Sequence, residues 1–122
     1  SIIGSYNLAS ETASFSMGMF SGIDTNAAEI RSWLFPINGV ISNFNMKVAT
    51  APGSGNSWAC TIQLNGNNSD VTCTILGTAT NCADNVNTAA VDAGDDFNVR
   101  CIESGTATAT NNEGWSAIFT PR

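Results

Sequence analysis

Apolar side chains recur at every second position through several short stretches of this chain. In 13–20, ASFSMGMF, the period sets Phe15, Met17 and Met19 on one side. In 43–50, NFNMKVAT, Phe44, Met46 and Val48 alternate with Asn43, Asn45 and Lys47. Residues 57–66 group Trp58, Cys60, Ile62 and Leu64, and 70–76 group Val71, Cys73 and Ile75. Phe97, Val99 and Cys101 follow in 96–102, then Trp115, Ala117 and Phe119 in 114–121. Successive side chains of a strand point to opposite faces, so each stretch predicts a strand with one side in water and one on a core. Turn-forming residues lie between them: Asn38-Gly39, 51–56 (APGSGN), 65–70 (NGNNSD), 93–96 (AGDD) and 104–114 (SGTATATNNEG). Only 24–32, DTNAAEIRS, offers a helix, of one or two turns. The pattern predicts an all-β protein, an antiparallel two-sheet jelly-roll sandwich of about 8–10 short strands.

One stretch breaks the alternation. EIRSWLFPI, 29–37, puts Ile30, Leu34 and Pro36 on one face and Trp33, Phe35 and Ile37 on the other. A strand apolar on both sides is covered on both sides, which marks Trp33, Phe35 and Ile37 as a candidate oligomer interface; a loop folded over the strand is the plainer alternative. Residues 1–12 read as an N-terminal arm or edge strand, with Ile2, Ile3, Tyr6 and Leu8 as its candidate contacts, and 13–122 as a single domain. Ser1-Ile2-Ile3-Gly4 shows no charged leader before an apolar block, so the expectation is a chain without a signal segment or with one already removed.

The chain has 122 residues, which is enough for one domain with a core of its own. Charge narrows its partners further. Four basic residues stand against ten acidic ones, a net of −6. Nucleic acid and anionic membranes are recognised by clustered cations, and both are excluded as expected partners. No apolar run reaches the length of a membrane span. Histidine is absent, which removes Ser-His-Asp and Cys-His pairs and HExxH zinc sites, and no glycine-rich phosphate loop is present. The expectation is a protein that is not an enzyme. A carboxylate-only hydrolase is the weakest alternative, since it needs two acids facing each other across a cleft.

Three acids, Asp92, Asp95 and Asp96, crowd the stretch TAAVDAGDDFNVRC at 88–101. They read first as a turn: Gly94 supplies a positive φ, and aspartate side chains accept from nearby backbone N–H groups. The alternating oxygen series of an EF-hand is missing. Calcium shared by Asp92, Asp95 and Asp96 at a subunit junction is the second reading, and otherwise no cofactor is expected.

SWACTIQLNG, TAAVDAGDDFNVRC and the terminal GWSAIFTP together resemble the complement-type globular head and tumour-necrosis-factor-like jelly roll, over Gly39 to Arg122. The same order is similar to small bacteriophage virion proteins and other bacterial surface proteins. The resemblance implies a ten-strand jelly roll, assembled as a homotrimer about a hydrophobic three-fold axis and without enzymatic activity. The four cysteines and the short loops rich in Asn and Thr depart from the vertebrate heads.

Cys60, Cys73, Cys82 and Cys101 are an even set with no CxxC, and with no histidine a zinc site would need all four. Disulfides are expected, and with them an oxidising, extracellular or virion-surface location. In the strand order the resemblance implies, Cys60–Cys101 ties two long inward-facing strands and Cys73–Cys82 closes the segment TILGTATN. The competing set is Cys60–Cys73 with Cys82–Cys101, ranked second because a bridge between directly opposed strand positions is geometrically restrictive.

The expected function is a non-enzymatic structural protein on a virus particle, a capsid decoration or cement protein or a fibre head, that contacts itself and other virion proteins. The alternatives are a secreted bacterial surface or recognition module binding glycan or protein, and an extracellular fibre subunit joined through residues 1–20. Trp58 and Trp115 would serve a glycan only if exposed, and their phase places them in the core.

Overall fold

Every regular element of the computed structural model is a strand among the residues it describes, 2–7, 15–17, 23–24, 33–108 and 113–122. In chain order these are β1 (Ile2–Asn7), β2 (Phe15–Met17), β3 (Ile23–Asp24), β4 (Trp33–Leu34), β5 (Gly39–Lys47), β6 (Ser57–Leu64), β7 (Asn67–Leu76), β8 (Asn81–Asp84), β9 (Ala89–Val91), β10 (Asp96–Ser104) and β11 (Glu113–Pro121). Leu8, Met19 and most of the helix expected at 24–32 lie outside the described residues.

The strands form two antiparallel sheets. One has the order β1-β11-β5-β8, with β9 also paired to β5; the other has β3-β2-β10-β6-β7, with β4 also paired to β10. The chain crosses between sheets at β1–β2, β4–β5, β5–β6, β7–β8, β9–β10 and β10–β11, while β6 and β7 form a hairpin. This is an all-β jelly-roll sandwich. The hairpin turn is only Asn65-Gly66, at φ 55° and 78°, the two positive values a tight reversal with the twist of its strands requires. The strand therefore resumes at Asn67, within the stretch 65–70 that composition alone marks as a turn.

The alternating residues face one another across the sandwich. Trp58, Cys60 and Ile62 of β6, Val71, Cys73 and Ile75 of β7, and Phe97, Val99 and Cys101 of β10 are buried against Ile41, Phe44 and Met46 of β5 and Trp115, Ala117 and Phe119 of β11. Ile41 and Phe44 have opposite parity yet point the same way. A bulge reconciles them: the pairing with β11 shifts between Ser116 and Ile118, and Asn43 takes a left-handed φ of 51°. Gly39 opens the same strand because a β-carbon there would lie 2.3 Å from the Phe119 ring.

The stretch at 29–37 differs from its expectation. Among its described residues, 33–37, Trp33–Leu34 is strand, paired with Asp96 and Phe97 of β10, and the chain then turns inward. Phe35 is 3% exposed and belongs to the core. Its ring stacks on Phe119 (centroids 5.2 Å apart) and meets Phe97 edge-on (5.5 Å), and Phe97 packs on Trp115 at 5.1 Å. Phe35 is therefore withdrawn from the interface proposed from Trp33, Phe35 and Ile37. The bend after Leu34 ends the two-sided alternation and leaves Leu34 and Ile37 exposed instead, at 66% and 48%.

One edge of the sandwich is tied across the sheets. Cys73 of β7 is bonded to Cys82 of β8. Beside that bridge the Asp84 carboxylate accepts from the Thr72 N–H of β7 (3.1 Å), the Val86 N–H (3.1 Å), the Asn87 N–H (3.0 Å) and Asn87 Nδ2 (3.0 Å). Burial works to raise this carboxyl, but the bonds from Asn87, Thr72 and Val86 outweigh it and hold it at about 2, from 3.8. A carboxyl lowered in the folded state stabilises the fold above its unfolded value and loses that contribution as pH falls through its folded value. The unfolding free energy is expected to drop between about pH 4 and pH 2 by this group's share. Asp84→Ala removes that share and strands three backbone donors, at a cost of about 2 kcal/mol at pH 7. Urea denaturation of both proteins across this range checks it: an unchanged acid limb in the variant contradicts the assignment.

Candidate functional site

Two constellations collect the polar and reactive residues that the sequence singles out. The first is the turn between β9 and β10. The Asp95 N–H donates to the Asp92 carbonyl (3.0 Å), and Gly94 sits at φ 92° in the third position of that turn. Asp95 Oδ2 accepts the Asp92 N–H (2.8 Å), and Asp95 Oδ1 accepts Asn65 Nδ2 (2.9 Å). Asn65 completes the link by accepting the Asp96 N–H on Oδ1 (3.0 Å) and donating its own N–H to the Asp96 carbonyl (2.9 Å). The β6–β7 hairpin is thereby fastened to the start of β10.

Two further segments reach the same turn. Phe35 exchanges backbone bonds with it, its N–H donating to Asp95 (3.0 Å) and its carbonyl accepting from Gly94 (2.8 Å). Asn38 Oδ1 accepts the Ala93 N–H at 2.7 Å. The Arg122 guanidinium donates to the Gly39 carbonyl (3.1 Å), the Val91 carbonyl (3.0 Å) and the Asp92 carboxylate, with which it forms an ion pair. Two carboxylates thus have separate tasks, Asp95 closing the turn and Asp92 meeting Arg122, while Asp96 starts β10 and joins Asn65 through its backbone. The Asp92 N–H and Asn65 hold the Asp95 carboxyl below its ordinary range against the opposing effect of burial, and Arg122 adds to the lowering. Among the described residues no group of three or more His, Cys, Asp or Glu side chains converges as a metal site.

The second constellation is the cysteine row. Cys60 lies directly opposite Cys101 on one side and directly opposite Cys73 on the other, so three cysteines stand abreast on β10, β6 and β7. The structure joins Cys60 to Cys101 and Cys73 to Cys82. Direct opposition does not separate the two candidate partners of Cys60. The alternation of the antiparallel ladder does. Cys60 and Cys101 are a close pair, with Cα atoms 4.0 Å apart. The N–H and C=O of Cys60 then face β7, which makes Cys60 and Cys73 the wider, hydrogen-bonded pair. Two disulfides fit an oxidising, extracellular or secreted setting.

Other candidates find plain places. Ile2, Ile3 and Tyr6 lie on β1, which pairs along its length with β11 of the same chain, and Ile3 packs on the core. Trp58 and Trp115 are both buried. Glu113, at the start of β11, is a fully buried carboxyl; it is in phase with Trp115, Ala117 and Phe119, but its charge masks that phase in the sequence. No helix among the described residues is long and apolar enough to cross a membrane.

Asn65 is the residue that joins two turns, so its removal tests the junction. Asn65→Gly keeps the positive φ and deletes only the side chain. The Asp95 carboxyl is expected to titrate at higher pH in the variant, followed by carboxyl carbon shifts in NMR. An unmoved Asp95 curve contradicts the link. No protein-family model and no curated protein sequence matches the chain.

Proposed function

We propose that this chain is a non-enzymatic structural protein of a virus-particle surface, a capsid decoration or fibre-head module that works as a homotrimer. The observation that carries the reading is the outward face of the β1-β11-β5-β8 sheet. Its side chains include Val40 and Ser42 of β5, Ala83 of β8, Ala90 of β9, and Gly114, Ser116, Ile118 and Thr120 of β11. These are small or apolar, Asn45 and Asn81 add uncharged polar groups, Ile118 is 39% exposed, and the charge among the described outward residues of these strands comes from Lys47. A smooth face of low charge has little desolvation to overcome and packs closely against another copy.

The strand order supports the jelly-roll resemblance as well. The first strand lies beside the last, β1 on β11, and β5, β6, β10 and β11 occupy the middles of their sheets. The polar groups of the aspartate turn are occupied in joining four chain segments, which suits a rigid building block better than a catalyst. Locked turns, two disulfides and few charges are what a shell-surface module needs. Contacts with other virion proteins belong to the same proposal. The buried positions of Trp58 and Trp115 give the glycan-binding alternative no described aromatic platform.

Light scattering coupled to size exclusion is expected to give the mass of three 12.7 kDa chains, unchanged by a calcium chelator. Ile118→Arg is expected to release the single chain without loss of β-sheet circular dichroism. A wild-type monomer contradicts the trimer. A trimer that dissociates on chelation returns Asp92, Asp95 and Asp96 to the role of a junction site.

A further inference from the structure

Cys60 has two neighbours within disulfide reach and one bond to give. Directly opposed positions of an antiparallel pair lie about 4.5 or 5.5 Å apart at Cα. Bridged cysteines span roughly 4.4–6.8 Å, so the wider Cys73 position also lies within reach of a bond to Cys60, although the resting bond is made to Cys101. Solvent access differs sharply along the row. Cys60 and Cys101 are 0% exposed, Cys73 is nearly as enclosed, and Cys82 is half-buried on β8 at the sandwich edge. β7 and β8 are the last strands of their sheet orders, so the bridge between them is the one that a solute meets.

We propose that the cysteine row is a thiol-exchange relay through which reductant at the edge bridge opens the buried Cys60–Cys101 bridge. The steps follow from access and register. A thiolate of a small dithiol attacks Sγ of Cys82, the more exposed sulfur of its bridge; a mixed disulfide forms at Cys82 and Cys73 leaves as thiolate. Cys73 then attacks Sγ of Cys60, which lies directly across the β6–β7 pairing. The Cys60–Cys73 bond forms, the Cys60–Cys101 bond breaks, and the electron pair leaves on Cys101 Sγ, which takes a proton. The second thiol of the dithiol closes on the mixed disulfide, frees Cys82 and departs as the cyclic disulfide. Two electrons enter, one bridge is lost, and the surviving bridge has moved from β6–β10 to β6–β7. The loss of Cys73–Cys82 also removes the covalent tie between the sheets, so a reducing milieu loosens the edge and the core row together.

The test is a trap on the native protein. Oxidised wild type is exposed to limiting dithiothreitol, quenched with N-ethylmaleimide and mapped by peptide mass spectrometry. The single-bridge species is expected to contain Cys60–Cys73, with the label on Cys82 and Cys101. A single-bridge species that keeps Cys60–Cys101 and carries label on Cys73 and Cys82 overturns the relay. The double variant Cys73→Ser/Cys82→Ser removes the relay thiol. Its Cys60–Cys101 bridge is expected to be reduced at least roughly tenfold more slowly than in wild type, because direct attack has to reach a buried sulfur. Equal rates overturn the proposal. Should the double variant not fold, the wild-type trap decides alone.

Discussion

Two sheets facing each other across an apolar layer have no backbone hydrogen bonds between them, and what ties their edges sets how far they can part. In this chain that tie is the pair β7 and β8. Cys73–Cys82 crosses from one sheet to the other, and Asp84 crosses beside it to the Thr72 N–H. The same carboxylate organises the chain after β8 through Val86 and Asn87. Covalent tie, buried carboxylate and turn thus form one unit within residues 72–87. Deeper in the layer, the rings of Phe119, Phe35, Phe97 and Trp115 run from one sheet to the other, so the apolar contacts and the edge tie act on the same separation.

The aspartate turn does a comparable job at one end. Three other segments converge on it, Asn65 bonding to Asp95 and Asp96, Asn38 to Ala93 and Arg122 to Asp92. This arrangement gives physical content to the structural reading. Stiffness at the turns and a covalent lock at the edge leave the outward faces as the surfaces with work to do. The face bearing Val40, Ala90 and Ile118 is the one proposed for self-contact.

Much of this was legible in the sequence because period-two alternation is a local signal. The rows at Trp58, Cys60 and Ile62, at Val71, Cys73 and Ile75, and at Phe97, Val99 and Cys101 are core rows. The alternation fails where the backbone does something local propensity does not encode. The bulge at Asn43 flips the phase between Ile41 and Phe44, and a polar residue in a left-handed conformation is its only trace. The bend after Leu34 sends Phe35 inward, so the two-faced pattern gives way after the strand pair Trp33–Leu34 to a core side chain. Asn65 reads as half of an Asn-Gly turn; its link to Asp95 joins residues 30 apart and has no local signature. The ranking of the cysteine pairs drew on direct opposition, but Cys60 is directly opposed to both candidates. Only the alternation of close and wide pairs separates them, and that requires the register.

The edge tie is the part of this account on which the rest depends, and amide hydrogen exchange read residue by residue tests it most directly. Exchange is compared between the oxidised protein and a Cys73→Ala/Cys82→Ala variant that retains its β-sheet circular dichroism. Protection at Thr72, Val86 and Asn87 and along β8 is expected to fall together in the variant, while β11 and the centre of β10 keep theirs. Uniform loss across both sheets, or unchanged protection at Thr72 and β8, would contradict the claim that β7 and β8 are held together by this bridge and its neighbouring carboxylate.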